Sequence, residues 1–137
     1  MRKLIAVWLI TPRNEVLLKI KKINSREFAL PFEAWQKRGE SDLGTIKRIL
    51  NEIEKFAPPK KFHLRFKRIK ESEMETKFGK IKRVQYLCLL PFQPLIENSE
   101  ILILKKENLK EYRNKILKED NLTILIILGI QNTLTDF

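Results

Sequence analysis

The first third of the chain consists of short apolar runs separated by turn residues. Residues 3–10 form a nearly continuous apolar run, and its length and strand-forming residues predict a buried strand. A turn at residues 11–14 leads into residues 15–22, which predict a second strand that pairs back on the first as a hairpin. Residues 26–30 predict a short third strand that ends before Pro31, because the residue preceding a proline prefers extended geometry.

A helical period follows a predicted loop at residues 32–39. Ser41 or Asp42 is suited to cap the N-terminus of this helix, and the Pro58-Pro59 pair is expected to end it. Apolar residues recur at steps of three and four, the spacing of an amphipathic helix, at Leu43, Ile46, Leu50, Ile53 and Ala57.

The second half of the chain returns to strands and then ends in helical patterns. Residues 61–70 alternate between apolar and polar positions, which predicts a half-buried strand with a basic outer face. Residues 80–90 and 100–104 predict two further strands, and residues 108–118 have helical spacing. Residues 121–134 are apolar nearly all round, so a helix capped by Asn121 and a strand both stay open. The order of elements predicts an α+β fold in which helices pack on the faces of a mixed sheet.

The composition is that of one globular domain spanning residues 1–137. Hydrophobic residues make up 43% and charged residues 33%, which excludes a disordered chain. The single cysteine, Cys88, excludes an intrachain disulfide, and one cysteine with one histidine excludes the usual zinc ligand sets. This cysteine usage indicates a reducing, cytoplasmic compartment. Residues 4–10 and 124–130 are far shorter than the roughly 20 residues of a membrane span, so no membrane partner is expected.

The net charge of +11 is concentrated in one part of the chain. Residues 60–83 contain ten basic and three acidic residues, with aromatic residues interleaved. Basic strands with aromatic residues can follow a nucleic-acid backbone and stack on its bases, so one interpretation is a module that binds RNA or a ribonucleoprotein. The other is a solvated strand face with its aromatic residues in the core, which the alternation at residues 61–70 favours.

The middle of the chain resembles the Nudix hydrolase superfamily. The resemblance rests on residues 15–18, on Phe28-Ala29-Leu30-Pro31, on Gly39-Glu40-Ser41, and on a helix that carries Arg48 and Glu52. The family signature is G-x5-E-x7-R-E-U-x-E-E-x-G-U, where U is a bulky apolar residue. Family members fold as an α/β/α sandwich around a mixed sheet, and the similarity covers nearly the whole chain.

The correspondence with the signature is incomplete. Glu40 takes the position of the first Glu, Arg48 that of the Arg, Leu50 an apolar position and Glu52 the first position of the Glu-Glu pair. Ile49 and Ile53 stand at the two other clustered Glu positions, and the family's glycines are replaced by Ala34 and Lys55.

The resemblance implies a set of site residues. Nudix enzymes hydrolyse nucleoside diphosphates linked to another group, with Mg²⁺ or Mn²⁺ held by carboxylates. The catalytic positions are Glu40, Arg48 and Glu52, and the metal ligands would be Glu52 together with Glu97 or Glu100. Candidate ligand-binding residues are Phe28 and Trp35, which could stack on a base, and the basic Arg65 and Lys67.

These residues leave three functions open. The first is a domain that binds a nucleoside diphosphate derivative or a related phosphorylated ligand, with hydrolysis weak or lost because two clustered glutamates are absent. The alternatives are the RNA-binding module and an active hydrolase with a rearranged metal site.

Structural roles also stay open: Arg48 and Glu52 are spaced for an ion pair, and Phe28 and Trp35 for buried packing. The apolar residues 122–134 predict either a buried helix or the interface of a homodimer.

Overall fold

The computed structural model of the chain describes residues 2–53, 64–77, 79–95 and 100–135. The first half contains strands β1 (Arg2–Ile10), β2 (Val16–Ile23), β3 (Arg26–Leu30) and β4 (Phe32–Trp35), followed by helix α1 (Asp42–Ile53). The second half contains strands β5 (Phe66–Thr76), β6 (Gly79–Leu89) and β7 (Ile101–Leu104), the short helix α2 (Leu109–Tyr112) between two 3-10 turns, and helix α3 (Lys118–Thr135).

The strands β1–β7 form one mixed sheet. Its strand order is β3-β2-β1-β6-β5, with β4 paired to β1 and β7 paired to β2. The β1 and β6 strands run parallel, and the other pairs are antiparallel. Every residue of β1 from Ile5 to Ile10 is buried, because the sheet is covered on both faces.

The two faces of β1 contribute to two separate cores. Ile5, Val7 and Leu9 pack on one face with residues of α1, whereas Trp8 and Ile10 pack on the other with residues of α3. This alternation follows from the two-residue period of a strand. The α/β/α arrangement and the α+β class predicted from the sequence are confirmed.

Helix α1 begins as its sequence predicts. The Ser41 hydroxyl oxygen accepts a hydrogen bond from the Gly44 N–H at 3.1 Å, which makes Ser41 the N-cap. Ile46 and Ile49 lie in the core beneath the helix. The predicted end of the helix at Pro58-Pro59 lies outside the described residues.

Several boundaries differ from the prediction, among them those of β5, which begins at Phe66 and continues six residues beyond the predicted end at residue 70. Residues 32–35 form a strand rather than a loop, because they pair with the free half of β1. Residues 108–118 do not form one helix, since Ile116 is extended and bridges to Ala29. The last element is a helix and begins at Lys118, so Asn121 lies inside it and donates to carbonyl groups of the preceding turns instead of capping it.

The basic strand keeps its predicted faces where it is described. Leu64 and Phe66 are half-buried, Arg65 and Lys67 are exposed, and residues 61–63 lie outside the described part. Cys88 is fully buried, as expected of a core thiol. Among the helices described, none has the length and apolar content that crossing a bilayer requires.

Candidate functional site

An arginine–glutamate pair fixes the loop before α1 to the helix. The Arg48 guanidinium donates two hydrogen bonds to the Glu40 carboxylate, both at 2.7 Å, and a further one to the Trp35 carbonyl at 2.8 Å. The Glu40 carboxylate also accepts from the Thr45 hydroxyl at 2.7 Å and from the Lys37 N–H at 3.1 Å. The alternative pairing of Arg48 with Glu52 is therefore wrong, because the bidentate geometry with Glu40 uses the guanidinium.

The charge of Glu40 is strongly favoured in the folded state. Hydrogen bonds from Arg48, and then from Thr45, lower the pKa of Glu40 to about 2 from its ordinary 4.5. A carboxylate with a depressed pKa contributes stability that is present above the unfolded pKa and is lost as the pH falls through the folded pKa.

Glu40→Gln is expected to lower the melting temperature at neutral pH, because it removes the charged acceptor of Arg48. The difference from wild type should shrink between pH 4.5 and about 2, where the wild-type carboxylate becomes protonated. Thermal denaturation across this range measures the effect, with the exposed Glu107→Gln as the control. A melting difference that does not change over the range would contradict this account of Glu40.

The helix carboxylate at Glu52 is bound by a lysine. Lys19 of β2 places its ammonium 2.6 Å from a Glu52 carboxylate oxygen. Ile49 is only 3% exposed and belongs to the core below α1. The described part of α1 therefore presents one carboxylate at the clustered positions, and that carboxylate already has a cationic partner.

The remaining predicted metal ligands do not complete a set. Glu100 precedes β7, and its carbonyl accepts a hydrogen bond from the Ile20 N–H at 2.8 Å, which places it beside the strand that carries Lys19. Glu97 lies outside the described residues. Among the residues that are described, no three Asp, Glu, His or Cys side chains are grouped as a metal ion would need. Since Mg²⁺ and Mn²⁺ take several oxygen ligands, the described residues do not fit the metal site implied by the resemblance.

A cavity of about 240 Å³ lies between the sheet, at its β3 end, and the start of α3. Glu33 and Arg83 provide polar groups in a largely apolar wall. The volume is just below the range of about 300–1,000 Å³ found for drug-sized ligands, so it suits one ring system rather than a whole cofactor. The apolar lining is formed by Leu4, Ile23, Phe28, Leu30, Met74, Ile81 and Leu117.

The polar side of this cavity is a buried ion triad. Arg83 is 2% exposed and donates to the Asp120 carboxylate at 2.6 Å and to the Glu33 carboxylate at 3.2 Å. Burial raises the pKa of Glu33, and the charge of Arg83 partly offsets this effect. Arg83 ends the basic segment 60–83, and its burial contradicts the interpretation of that whole segment as an exposed nucleic-acid face. Its inward position in the alternation of β6, between Ile81 and Gln85, is the signal that indicates burial.

Two lysines of β2 pair with lining residues of this cavity, although neither lysine is itself part of the lining. Lys19 is paired with Leu30, and Lys21 with Phe28, in the register of β2 and β3. Residues directly opposite in an antiparallel pair share a face, so both lysines flank the apolar wall. Lys21 also lies close enough to Glu33 to lower the pKa of that carboxyl, against the larger effect of burial. Lys19 binds Glu52, so its ammonium is directed towards α1.

The predicted ligand-binding residues do not lie together. Phe28 lines the cavity, whereas Trp35 is 39% exposed and carries the Arg2 guanidinium 4.2 Å from its ring centre. The buried packing considered for Trp35 is thus wrong. Lys67 lines a different groove, between β5 and α3, and Arg65 is exposed beside it in sequence.

The fold is that of known enzymes, although the sequence is distant from theirs. No protein-family model and no curated protein sequence matches the chain. A Nudix-family hydrolase from Clostridium perfringens superposes with a TM-score of 0.65 at 14% identity, covering 94% of this chain and 97% of that one. The E. coli dihydroneopterin triphosphate pyrophosphohydrolase gives 0.66 at 13% identity, with coverages of 92% and 94%.

A third similar structure contains a ligand. The Nudix domain of Shewanella oneidensis NrtR, complexed with ADP ribose, gives a TM-score of 0.60 at 17% identity and covers 94% of this chain and 86% of that one. At these identities the likeness establishes architecture. The chain therefore has the Nudix fold.

Proposed function

We propose that this chain is a Nudix-fold protein that binds a nucleoside diphosphate derivative or a related phosphorylated ligand, with hydrolysis weak or lost. The observation that carries the proposal is the 2.6 Å contact between Lys19 and Glu52. A lysine ammonium takes the place next to this carboxylate where a divalent ion would be needed for hydrolysis. The chain keeps the Glu40–Arg48 pair that shapes the loop, without a described carboxylate cluster.

The cavity and Lys21 support a ligand with two chemical parts. The apolar wall around Phe28 suits a ring system, and the buried carboxylate of Glu33 can accept hydrogen bonds from its edge. Lys21 lies close to Glu33 and can bind the charged phosphates, whereas the Lys19 ammonium is held by Glu52. This arrangement needs no metal for binding, because the positive charge is supplied by side chains.

Binding is the first test. Isothermal titration calorimetry with ADP-ribose, ADP and a nucleoside triphosphate is expected to detect at least one ligand, with equal affinity in Mg²⁺ and in EDTA. Phosphate release from the same compounds should stay at the level without protein, in Mg²⁺ or Mn²⁺. Rapid metal-dependent turnover that is lost in Glu52→Gln would overturn the proposal and favour a rearranged metal site. Absence of binding to every compound would also overturn it.

Two aromatic substitutions test the place of the ligand. Phe28→Ala is expected to weaken binding by about 5- to 150-fold, the range for removing one aromatic stack on a base. Trp35→Ala is the matched control, because this aromatic residue lies outside the cavity and should leave the affinity unchanged. If Trp35→Ala weakens binding and Phe28→Ala does not, the ligand lies elsewhere.

We further propose that residues 1–137 act as one domain in the cytoplasm. Support for one domain comes from β1, which contributes to both cores. Burial raises the pKa of the Cys88 thiol to about 12, so this cysteine is suited to packing and not to redox chemistry.

A further inference from the structure

An apolar groove of about 420 Å³ lies between β5, β6 and α3. Of the eleven residues that line it, seven are leucine or isoleucine and none is aromatic. Leu122 and Ile126 of α3 are 59% and 53% exposed, and Leu89 of β6 is 60% exposed. The volume falls within the range of about 300–1,000 Å³ that small ligands occupy. This lining suits a flexible aliphatic ligand, because it offers no aromatic surface on which a ring could stack.

A β-bulge brings two lysines of β5 to this groove. Lys67 is opposite Leu87 of β6, and Lys70 is opposite Gln85. Residues directly opposite in an antiparallel pair share a face, so both lysines lie on the side of the sheet that carries α3. They can share this face at a separation of three residues because the bulge just before Lys70 adds one residue to the strand. Both lysines line the groove.

The two lysine ammonium groups are not neutralised by the acidic residues of β5. Glu71 is opposite Val84, which belongs to the core below α1, so this carboxylate lies on the other face of the sheet. There it binds Arg68 and Lys82 of the same hairpin. Among the residues that the structure describes, no acidic side chain lines the groove and no carboxylate forms an ion pair with either lysine. The groove thus combines an aliphatic wall with unmatched positive charge.

An anion with a hydrocarbon chain matches both features of the groove. A lysine ammonium acts as a point charge on a flexible stem, so it can attract an anionic head without a fixed geometry. Nucleic acid fits less well, because bases need aromatic surfaces for stacking. A bilayer surface also fits less well, because the groove is recessed: Ile10, which lines it, is 2% exposed.

We propose that this groove binds one molecule of a free aliphatic carboxylate. Its head lies at Lys67 and Lys70, and its chain lies between β6 and α3, against Leu89 and Ile126. The cavity at Phe28 shares no lining residue with the groove, so this site is independent of the ligand proposed above.

A series of carboxylates tests the chain and the head together. Isothermal titration calorimetry of the full chain is performed with butyrate, hexanoate, octanoate and decanoate, each below the concentration at which it forms micelles. Each added methylene should tighten binding about fourfold, the equivalent of about 0.8 kcal/mol per buried methylene, until the groove is filled. Decylamine, which has the same chain with a positive head, should bind at least about tenfold more weakly than decanoate.

Removal of the two lysine charges tests the place of the head. Lys67→Met with Lys70→Met should weaken decanoate binding at least about tenfold, because it removes the attraction for the anion. Lys77→Met with Lys80→Met is the matched control, since both residues are exposed on the same hairpin and neither lines the groove. The neutral decanol should bind both double variants as it binds the wild type.

A charge on α3 tests the place of the chain. Ile126→Asp should weaken decanoate binding at least about tenfold, because it places a second negative charge where the chain lies. Leu125→Asp is the matched control: Leu125 is 46% exposed on the same helix but does not line the groove. All these substitutions are at exposed positions, and circular dichroism confirms that each variant is folded.

Several results would overturn this site. These are no binding of decanoate, an affinity that does not depend on chain length, equal binding of decylamine, and equal effects of a variant and its matched control. Binding of the protein to phosphatidylglycerol vesicles without binding of free decanoate would equally overturn it and would favour a membrane surface. None of these results bears on ligand binding at Phe28.

Discussion

Arg83→Met is expected to lower the free energy of unfolding by about 3–5 kcal/mol, because it leaves two buried carboxylates without their cation. Glu33 and Asp120 both hold the guanidinium, and the side chain of Arg83 is 3% exposed. Urea denaturation followed by circular dichroism measures the loss. The exposed Arg68→Met on the neighbouring strand is the control and should change the stability by less than about 1 kcal/mol.

The loss caused by Arg83→Met should depend on pH. Burial raises the pKa of Glu33 above 4.5, so its contribution favours the fold at low pH and is lost as the pH rises through the folded pKa. Removing Arg83 takes away the charge that offsets this rise. The variant should therefore be closest to wild type near pH 4 and furthest from it at neutral pH.

A variant without charges separates the ion triad from simple packing. Arg83→Met combined with Glu33→Gln and Asp120→Asn removes all three charges at once. It is expected to recover part of the stability lost by the single substitution, since no uncompensated charge remains buried. If the single variant loses less than about 1 kcal/mol of unfolding free energy, the triad contributes less to stability than its burial indicates.

Much of the fold follows from local patterns in the sequence. The apolar run at residues 3–10 forms the central strand because both its faces are covered, and the predicted stripe places Ile46 of α1 against the sheet, although Leu43 of the same stripe is 53% exposed. The alternation around Phe66 correctly predicts its faces. These features depend on the periods of strands and helices, which a single sequence displays directly.

The partners across the fold could not be predicted in this way. Arg83 meets Glu33 and Asp120 at sequence separations of 50 and 37 residues, and Lys19 meets Glu52 at a separation of 33. Periodicity gives the face on which a side chain lies, but not the side chain it meets from another element. The short strand β4 was not predicted for the same reason. Its pairing with β1 stabilises it more than the strand propensity of its own residues does.

The partner of Glu52 bears on the proposed loss of hydrolysis. Two of the clustered glutamates of the family signature are isoleucines here, and Ile49 is buried among the core residues below α1. The side chain of Ile53 is not among those described. Ile49 therefore packs in the core at a position where the family signature has a glutamate.

Ile49→Glu, which introduces the residue of the family signature, is expected to destabilise the protein by at least about 3 kcal/mol without creating hydrolysis. Ile49 is 3% exposed, so the new carboxylate would be buried without a partner and the apolar packing would be lost. Ile49→Leu is the matched control and should cost less than about 1.5 kcal/mol, since it nearly conserves volume.

The destabilisation by Ile49→Glu should also weaken at low pH, where the buried glutamate can fold in its neutral form. Urea denaturation at neutral pH and near pH 4, together with phosphate release in Mg²⁺, measures both parts. A stable Ile49→Glu variant that gains metal-dependent hydrolysis would mean that residue 49 can reach solvent and ligate a metal. Loss of stability with no turnover is the expected result, because Ile49 packs in the core below α1 and Glu52 is already paired with Lys19.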